Sequence, residues 1–196
     1  MQPHTKQQNR LTRLIFLSLL GGSSFLVQYF EFPIPGLPAF LKIDFSEIPA
    51  LIGAFIYGPV SGIIIEFLKN FLHFLFHGSE TGAIPVGQLS NFLAGSVFVT
   101  LTYILSKKVQ GLKGLLLGLS IATLITTILM SLANYFILFP LYSILINMTL
   151  ASPEKQAIVL YGIAPFNIIK GILIALIFIP LYRKISPYLS RQFSFR

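Results

Sequence analysis

Lys170 stands in the run Ala164-Pro165-Phe166-Asn167-Ile168-Ile169-Lys170-Gly171, among residues that belong in hydrocarbon. An ionisable group at the centre of an apolar helix costs about 2.5–3.5 kcal/mol to insert, so it faces a partner or a polar cavity. Asn167 comes three residues earlier and shares the same helical face. Pro165 bends the helix beside it and frees a carbonyl. Together they present an ammonium and a carboxamide to the interior of a bundle. Asn134 follows Ser131 by three, Asn91 follows Gln88 by three, and Glu66, Lys69, Asn70 and His73 form an i, i+3, i+4, i+7 stripe. Two uses of such groups stand side by side, a solute site and interhelical bonding, because amides also join membrane helices. For Asn134, Asn167 and Lys170 the solute site is the stronger reading. For the stripe the structural or gate-forming one is, with Glu66 satisfied by Lys69 or Asn70. Amides, one cation and abundant aromatics suit a small molecule that combines a planar apolar part with hydroxyl or carbonyl groups.

The elements that position these groups follow from composition. Of 196 residues, 55% are hydrophobic and 10% charged, against roughly 25% charged in soluble domains. A core of this size cannot hide so many apolar side chains, and the excess faces lipid. There are no cysteines, which excludes disulfides and zinc–thiolate sites. The net charge of +8 is no sign of a nucleic-acid partner, because the basic residues flank apolar segments. The first such segment, from Leu11 to Phe30, follows Arg10 and Arg13 and ends without a small-x-small cleavage pattern. It reads as a retained helix rather than a signal peptide.

Five apolar blocks are visible: Leu11 to Phe30, Ile48 to Phe76, Ile84 to Leu105, Leu112 to Leu141 and Ala157 to Tyr182. A continuous helix from Ser46 to Phe76 would be about 46 Å long, far beyond the roughly 30 Å hydrocarbon core. Tyr57-Gly58-Pro59-Val60-Ser61-Gly62 at its middle favours a tight reversal. Splitting the block places Lys6, Arg10 and Arg13, then Lys107, Lys108 and Lys113, then Arg183, Lys184, Arg191 and Arg196 on one side. Lys42 and Lys155 fall on the other, with Glu31, Asp44, Glu47, Glu80 and Glu154 outside or at the outer boundary. The positive-inside rule prefers that arrangement. The expectation is an all-α integral membrane protein of six transmembrane helices, the second and third joined by a Gly-Pro turn, with both termini cytoplasmic. Residues 1–10 form an N-terminal tail, 11–182 the membrane domain and 183–196 a basic C-terminal tail. The proline-stiffened segment Phe32-Pro33-Ile34-Pro35-Gly36-Leu37-Pro38 serves as a lid or lies on the bilayer surface.

Small residues at Ala50, Ala54, Gly58 and Gly62, and at Ser18 and Gly22, permit close helix approach, inside the bundle or against another protein. No Gly-rich loop ends in Gly-Lys-Ser or Gly-Lys-Thr, so pumping needs a separate ATPase. His73 and His77 lack an H-E-x-x-H arrangement, and neither a metal site nor intramembrane catalysis is expected. No repeated polar filter suggests an ion channel.

Leu41-Lys42-Ile43-Asp44-Phe45-Ser46-Glu47-Ile48-Pro49-Ala50-Leu51-Ile52, Tyr57-Gly58-Pro59-Val60-Ser61-Gly62 and Glu66-Phe67-Leu68-Lys69-Asn70 together resemble the riboflavin-specific substrate-binding subunits of energy-coupling factor (ECF) transporters. Val86-Gly87-Gln88-Leu89-Ser90-Asn91-Phe92-Leu93-Ala94-Gly95 and Pro165-Phe166-Asn167-Ile168-Ile169-Lys170-Gly171 continue the resemblance, which spans Leu11 to Tyr182. It implies a six-helix subunit in a bacterial cell membrane that binds riboflavin from outside and carries no intrinsic cofactor. It also implies assembly with a transmembrane coupling protein, the T component, and two cytoplasmic ATP-binding subunits, and a toppling motion coupled to ATP hydrolysis. Carried over residue by residue, the ligand contacts are Asn134, Asn167 and Lys170. Leu41, Gln88, Asn91, Lys69 and Asn70 are further candidates for binding or gating. The family's coupling face is typically alanine-x-x-x-alanine, where this chain has Ser18 and Gly22. The alternatives are a related subunit for another vitamin, such as thiamine, whose cationic charge Lys170 disfavours, and a structural or assembly-mediating membrane protein.

Overall fold

The computed structural model describes residues 4–109 and 111–193, with side chains at 10–109 and 111–186. Of the basic groups above, Arg196 lies outside the described residues, as do the side chains of Lys6 and Arg191. Helix α1 spans His4–Tyr29, α2 Glu47–Tyr57, α3 Pro59–His77, α4 Val86–Lys108 and α5 Gly111–Ala133. After a π-helical segment, Asn134–Leu138, comes α6, Phe139–Ile146. Helix α7, Ser152–Ile158, leads through a second π segment, Val159–Ile163, into α8, Ala164–Phe193. Thus α1 and α8 extend into the stretches read as tails. Between α1 and α2 the strands β1, Phe32–Pro33, and β2, Lys42–Ile43, pair antiparallel, with Phe32 opposite Ile43 and Pro33 opposite Lys42.

Among the described residues, five stretches are long and apolar enough to cross a bilayer: Arg10–Tyr29, Pro59–His77, Val86–Lys108, Gly111–Ile146 and Ser152–Ser186. The chain is an all-α, multi-pass membrane protein. Length and composition count five crossings where the sequence suggested six, because the eleven residues of α2 reach only about 16 Å.

Helix α2 ends where Gly58 takes φ 93° and ψ 168°, a region essentially restricted to glycine. Pro59 then opens α3 at a position where its missing N–H is harmless. The two helices lie side by side. A Cβ at Gly62 would sit 3.0 Å from Ala54 Cβ and 3.2 Å from the Ala50 carbonyl, and Gly53 faces Ile65. Ala50, Ala54 and Gly62 therefore use their small size inside the bundle. Gly58→Ala should destabilise the protein by about 1–3 kcal/mol through backbone strain alone; an unchanged unfolding midpoint in detergent would refute this.

The main apolar core joins α1, α2, α3, α4, α5 and α8 through Leu17, Leu51, Phe55, Ile65, Val99, Leu119 and Phe178, among others. A second cluster clamps the β1–β2 hairpin onto the other end of the bundle, with Leu41 and Ile43 against Phe139, Ile163 and Phe166. A Cβ on Gly162 would lie 3.0 Å from Pro38 Cγ, so the tip of the hairpin rests against the second π segment.

Candidate functional site

A cavity of about 290 Å³ opens at this hairpin end. Phe40, Leu41 and Lys42 of the hairpin line it, with Glu47 of α2, His73 and His77 of α3, and Gln88 and Asn91 of α4. Asn134 of the first π segment and Asn167 and Lys170 of α8 complete its polar wall, and Phe98, Phe166 and Tyr142 supply aromatic surface. The structure thus gathers Asn134, Asn167, Lys170, Leu41, Gln88 and Asn91 around one space. Lys69 and Asn70 are not among its lining residues.

The carboxamides are held in fixed orientations. Asn134 Nδ2 donates to the Met130 carbonyl and Asn167 Nδ2 to the Ile163 carbonyl, each at 2.8 Å and each one turn back. Ile163 closes the second π segment and Asn134 opens the first, and such widened turns free backbone groups for side chains. Gln88 Nε2 donates to the Gly78 carbonyl at 2.8 Å. Gln28 Oε1, Gln88 Oε1, Asn91 Oδ1 and Thr126 Oγ1, all on cavity residues, are buried without a protein partner. Each unmet polar atom of this kind costs about 1–3 kcal/mol, which a ligand bearing donors would relieve.

Lys170 is not a bare cation. Its Nζ donates to Asp44 Oδ2 at 2.9 Å and lies 2.8 Å from Glu47 Oε1. Next to it Lys69, fully buried, pairs with Glu66 Oε2 at 2.9 Å and Glu47 Oε1 at 3.4 Å and donates to Ser46 Oγ at 2.5 Å. Ser46 also bonds Asp44, and its carbonyl accepts from Ser24 Oγ of α1 at 2.6 Å. This ionic node joins α1, the hairpin, α2, α3 and α8. Burial alone would raise the Asp44 carboxyl, but the charges of Lys170 and Lys69 and bonds from Ser46 and Lys170 hold it well below the usual carboxylate range. The Glu66 carboxylate fills the space where a side chain at Gly95 would be. Of the stripe on α3, Glu66 and Lys69 pair by charge, while the Glu66 carboxylate oxygens have no hydrogen-bond partner among the described residues, and Asn70 Nδ2 donates to the Glu66 carbonyl at 2.8 Å.

Sequence reasoning places Asp44 and Glu47 outside or at the outer boundary and gives them no partners; in the structure both are buried and paired with lysines. The available signal was that two lysines inside the membrane need carboxylates, and Asp44 and Glu47 are the acids that flank the start of α2.

At the cavity mouth Glu31 accepts from Lys42 Nζ at 2.7 Å and lies 3.8 Å from His73 Nε2, while His73 stacks on His77 with ring centroids 4.5 Å apart. Burial opposes the Glu31 charge, but the nearby His73 ring and the hydrogen bond and charge of Lys42 outweigh it and lower its pKa from 4.5. The stabilisation is therefore fully present above the unfolded value and lost as pH falls through the lower folded one. Acidifying from about pH 5 to about pH 3 should lower the amide protection factors of Lys42 and Ile43, measured against the intrinsic exchange rate at each pH, and Glu31→Gln should show the lowered protection already at about pH 5. Equal protection in variant and wild type at the higher pH would exclude this role for Glu31.

Residues 12–182 match the family model described as ECF transporter, substrate-specific component. The chain belongs to this family. Related proteins include the riboflavin transporter RibU of Staphylococcus aureus (strain TCH60), 44% identical over 185 residues, with 94% of this chain and 95% of that protein covered. The riboflavin transporter FmnP of Bacillus subtilis (strain 168) is 41% identical, over 93% of this chain and 96% of its own length. A solved structure of the S component of a bacterial ECF transporter superimposes with a TM-score of 0.78 at 43% identity, covering 92% of this chain and 98% of that one.

In this substrate-specific component Ser18 and Gly22 lie on α1, away from the cavity lining. Ser18 is exposed, and a Cβ at Gly22 would meet nothing within 4 Å, whereas Gly21 beside it abuts Leu68. Positions 18 and 22 thus belong to the outward side of α1 and position 21 to its packed side.

Proposed function

We propose that this chain binds riboflavin outside the cell and delivers it inward as the substrate-specific subunit of an ATP-driven ECF transporter. The observation that carries the reading is the cavity. It sets Asn134, Asn167 and Lys170 against Phe98, Phe166 and Tyr142 in a chain whose curated relatives are riboflavin transporters along nearly their whole length. A flavin ring is flat and largely apolar, and its carbonyls and imide N–H sit on one edge, where carboxamides can donate and accept. Ribityl hydroxyls suit the unpartnered oxygens of Gln28, Gln88, Asn91 and Thr126.

In this reading α2 makes a short sixth crossing that reaches the inner boundary through Gly58, and both termini are cytoplasmic. Support comes from the basic residues. Arg13, which donates to Ser61 Oγ at 2.8 Å and lies over Tyr57, belongs to the end of the bundle opposite the cavity. Lys107 packs over Tyr103, and Tyr103 and Tyr182 both meet Phe55 near the end of α2. The positive-inside rule assigns that end to the cytoplasm. Ser18 and Gly22 on α1 then form a docking face for the T component, and two separate ATP-binding subunits drive transport.

The test is purification without partners, an absorbance spectrum and a fluorescence titration. Saturable quenching of riboflavin at one equivalent, with no ATP hydrolysis, is the expected result. No binding of added riboflavin would leave a different vitamin or an assembly role.

A further inference from the structure

Both lysines that line the cavity are already engaged: Lys42 with Glu31 at 2.7 Å, and Lys170 with Asp44 at 2.9 Å and Glu47 at 2.8 Å. An ammonium has three N–H donors. Asp44 accepts one of those on Lys170 and Glu47 lies against the ammonium at 2.8 Å, which still leaves an N–H for the cavity. Lys69, close behind, cannot lend charge, because Glu66 lies 2.9 Å from it and Ser46 accepts from it. The carboxyl groups of this node, Asp44, Glu47 and Glu66, outnumber its two amines. Glu47 also reaches the cavity wall, and its Oε2 has no protein partner.

We infer that Asp44 and Glu47 are specificity-determining residues: they cancel the charge of Lys170, so that the cavity offers it as a hydrogen-bond donor to an uncharged ligand and rejects one with an anionic group. This rests on the riboflavin reading above. A bare lysine would act as a point charge and favour a phosphate or carboxylate. Here an anion that approaches Lys170 also meets Glu47, which lines the same cavity and lies 2.8 Å from that ammonium. The attraction is offset by repulsion, in surroundings where like charges are poorly screened. A neutral carbonyl or hydroxyl oxygen escapes that repulsion and takes the remaining N–H. Asp44 does not line the cavity, so it acts through Lys170 as a positioning residue, whereas Glu47 also faces the ligand.

The experiment titrates the purified full chain with three flavins: riboflavin, riboflavin 5′-phosphate with its charge on the side chain, and 8-carboxy-8-demethylriboflavin with its charge on the ring. Wild type should prefer riboflavin to at least one anion by about tenfold or more. Glu47→Gln and Asp44→Asn should each narrow that preference by about tenfold, while Glu47→Asp, which keeps the charge, should preserve it. A purely structural role for these acids would lower all three affinities together and leave the ratios alone. Equal wild-type affinities, or ratios unchanged in both neutral variants, would overturn the inference. Should neither variant fold, the wild-type comparison decides. Failure of wild type to bind riboflavin is a separate result, which removes the proposed function instead.

Discussion

Lys69→Met should lose most of the protein's stability in detergent, with an effect of about 3–5 kcal/mol. The methionine matches the length of the lysine stem, so packing is nearly conserved and charge is the variable. Without the ammonium, Glu66 would lose its ion-pair partner, Glu47 would keep only Lys170 at 2.8 Å, and Ser46 would lose its donor. Native proteins have only about 5–15 kcal/mol in hand, so such a loss should appear as a large drop in unfolding midpoint or as failure to accumulate. Adding Glu66→Gln to Lys69→Met should recover part of the loss by removing one stranded carboxylate. A single variant whose midpoint stays within about 2 °C of wild type would show that the node contributes little to stability.

Asn134→Leu and Asn167→Leu should each weaken riboflavin binding by about 10- to 100-fold, since a ligand group left without its partner costs about 1–3 kcal/mol. The fold should survive. Each amide holds a carbonyl within its own helix rather than joining two helices, Met130 for Asn134 and Ile163 for Asn167. Leucine keeps the volume of the wall while removing both polar atoms. Titration of the two variants against a circular-dichroism check of helix content separates loss of contact from loss of structure. Wild-type affinity in both would take the amides out of the site.

Why some of this is legible in the sequence and some is not can be argued from these residues. Lipid penalises every amide and amine, so Asn134, Asn167 and Lys170 stand out in their apolar runs, and all three do face the cavity. Gly58-Pro59 stands out too, and the chain breaks there. The partners of Lys170 are hidden because Asp44 lies 126 positions away, and charged residues beside an apolar block look like its solvated margin. The stripe Glu66, Lys69, Asn70 and His73 shares one face of α3, as helical spacing requires. Spacing is silent on the direction of that face, and Lys69 turns toward α2 rather than the cavity. The π segments leave no hydropathy signal, because one extra residue in a uniformly apolar run changes register without changing composition.

Those two wide turns let the helices absorb a change of length without disturbing the cavity. Asn134–Leu138 closes with Phe139 N–H on the Asn134 carbonyl, five residues back. Such a turn spreads one extra residue over a wider ring, so deleting one residue inside it would restore regular α-helical bonding and leave the flanking side chains near their present faces. Leu138 and Tyr142 would keep the wall they share with Asn134. A relative with a single-residue gap in this apolar stretch can therefore keep the same site.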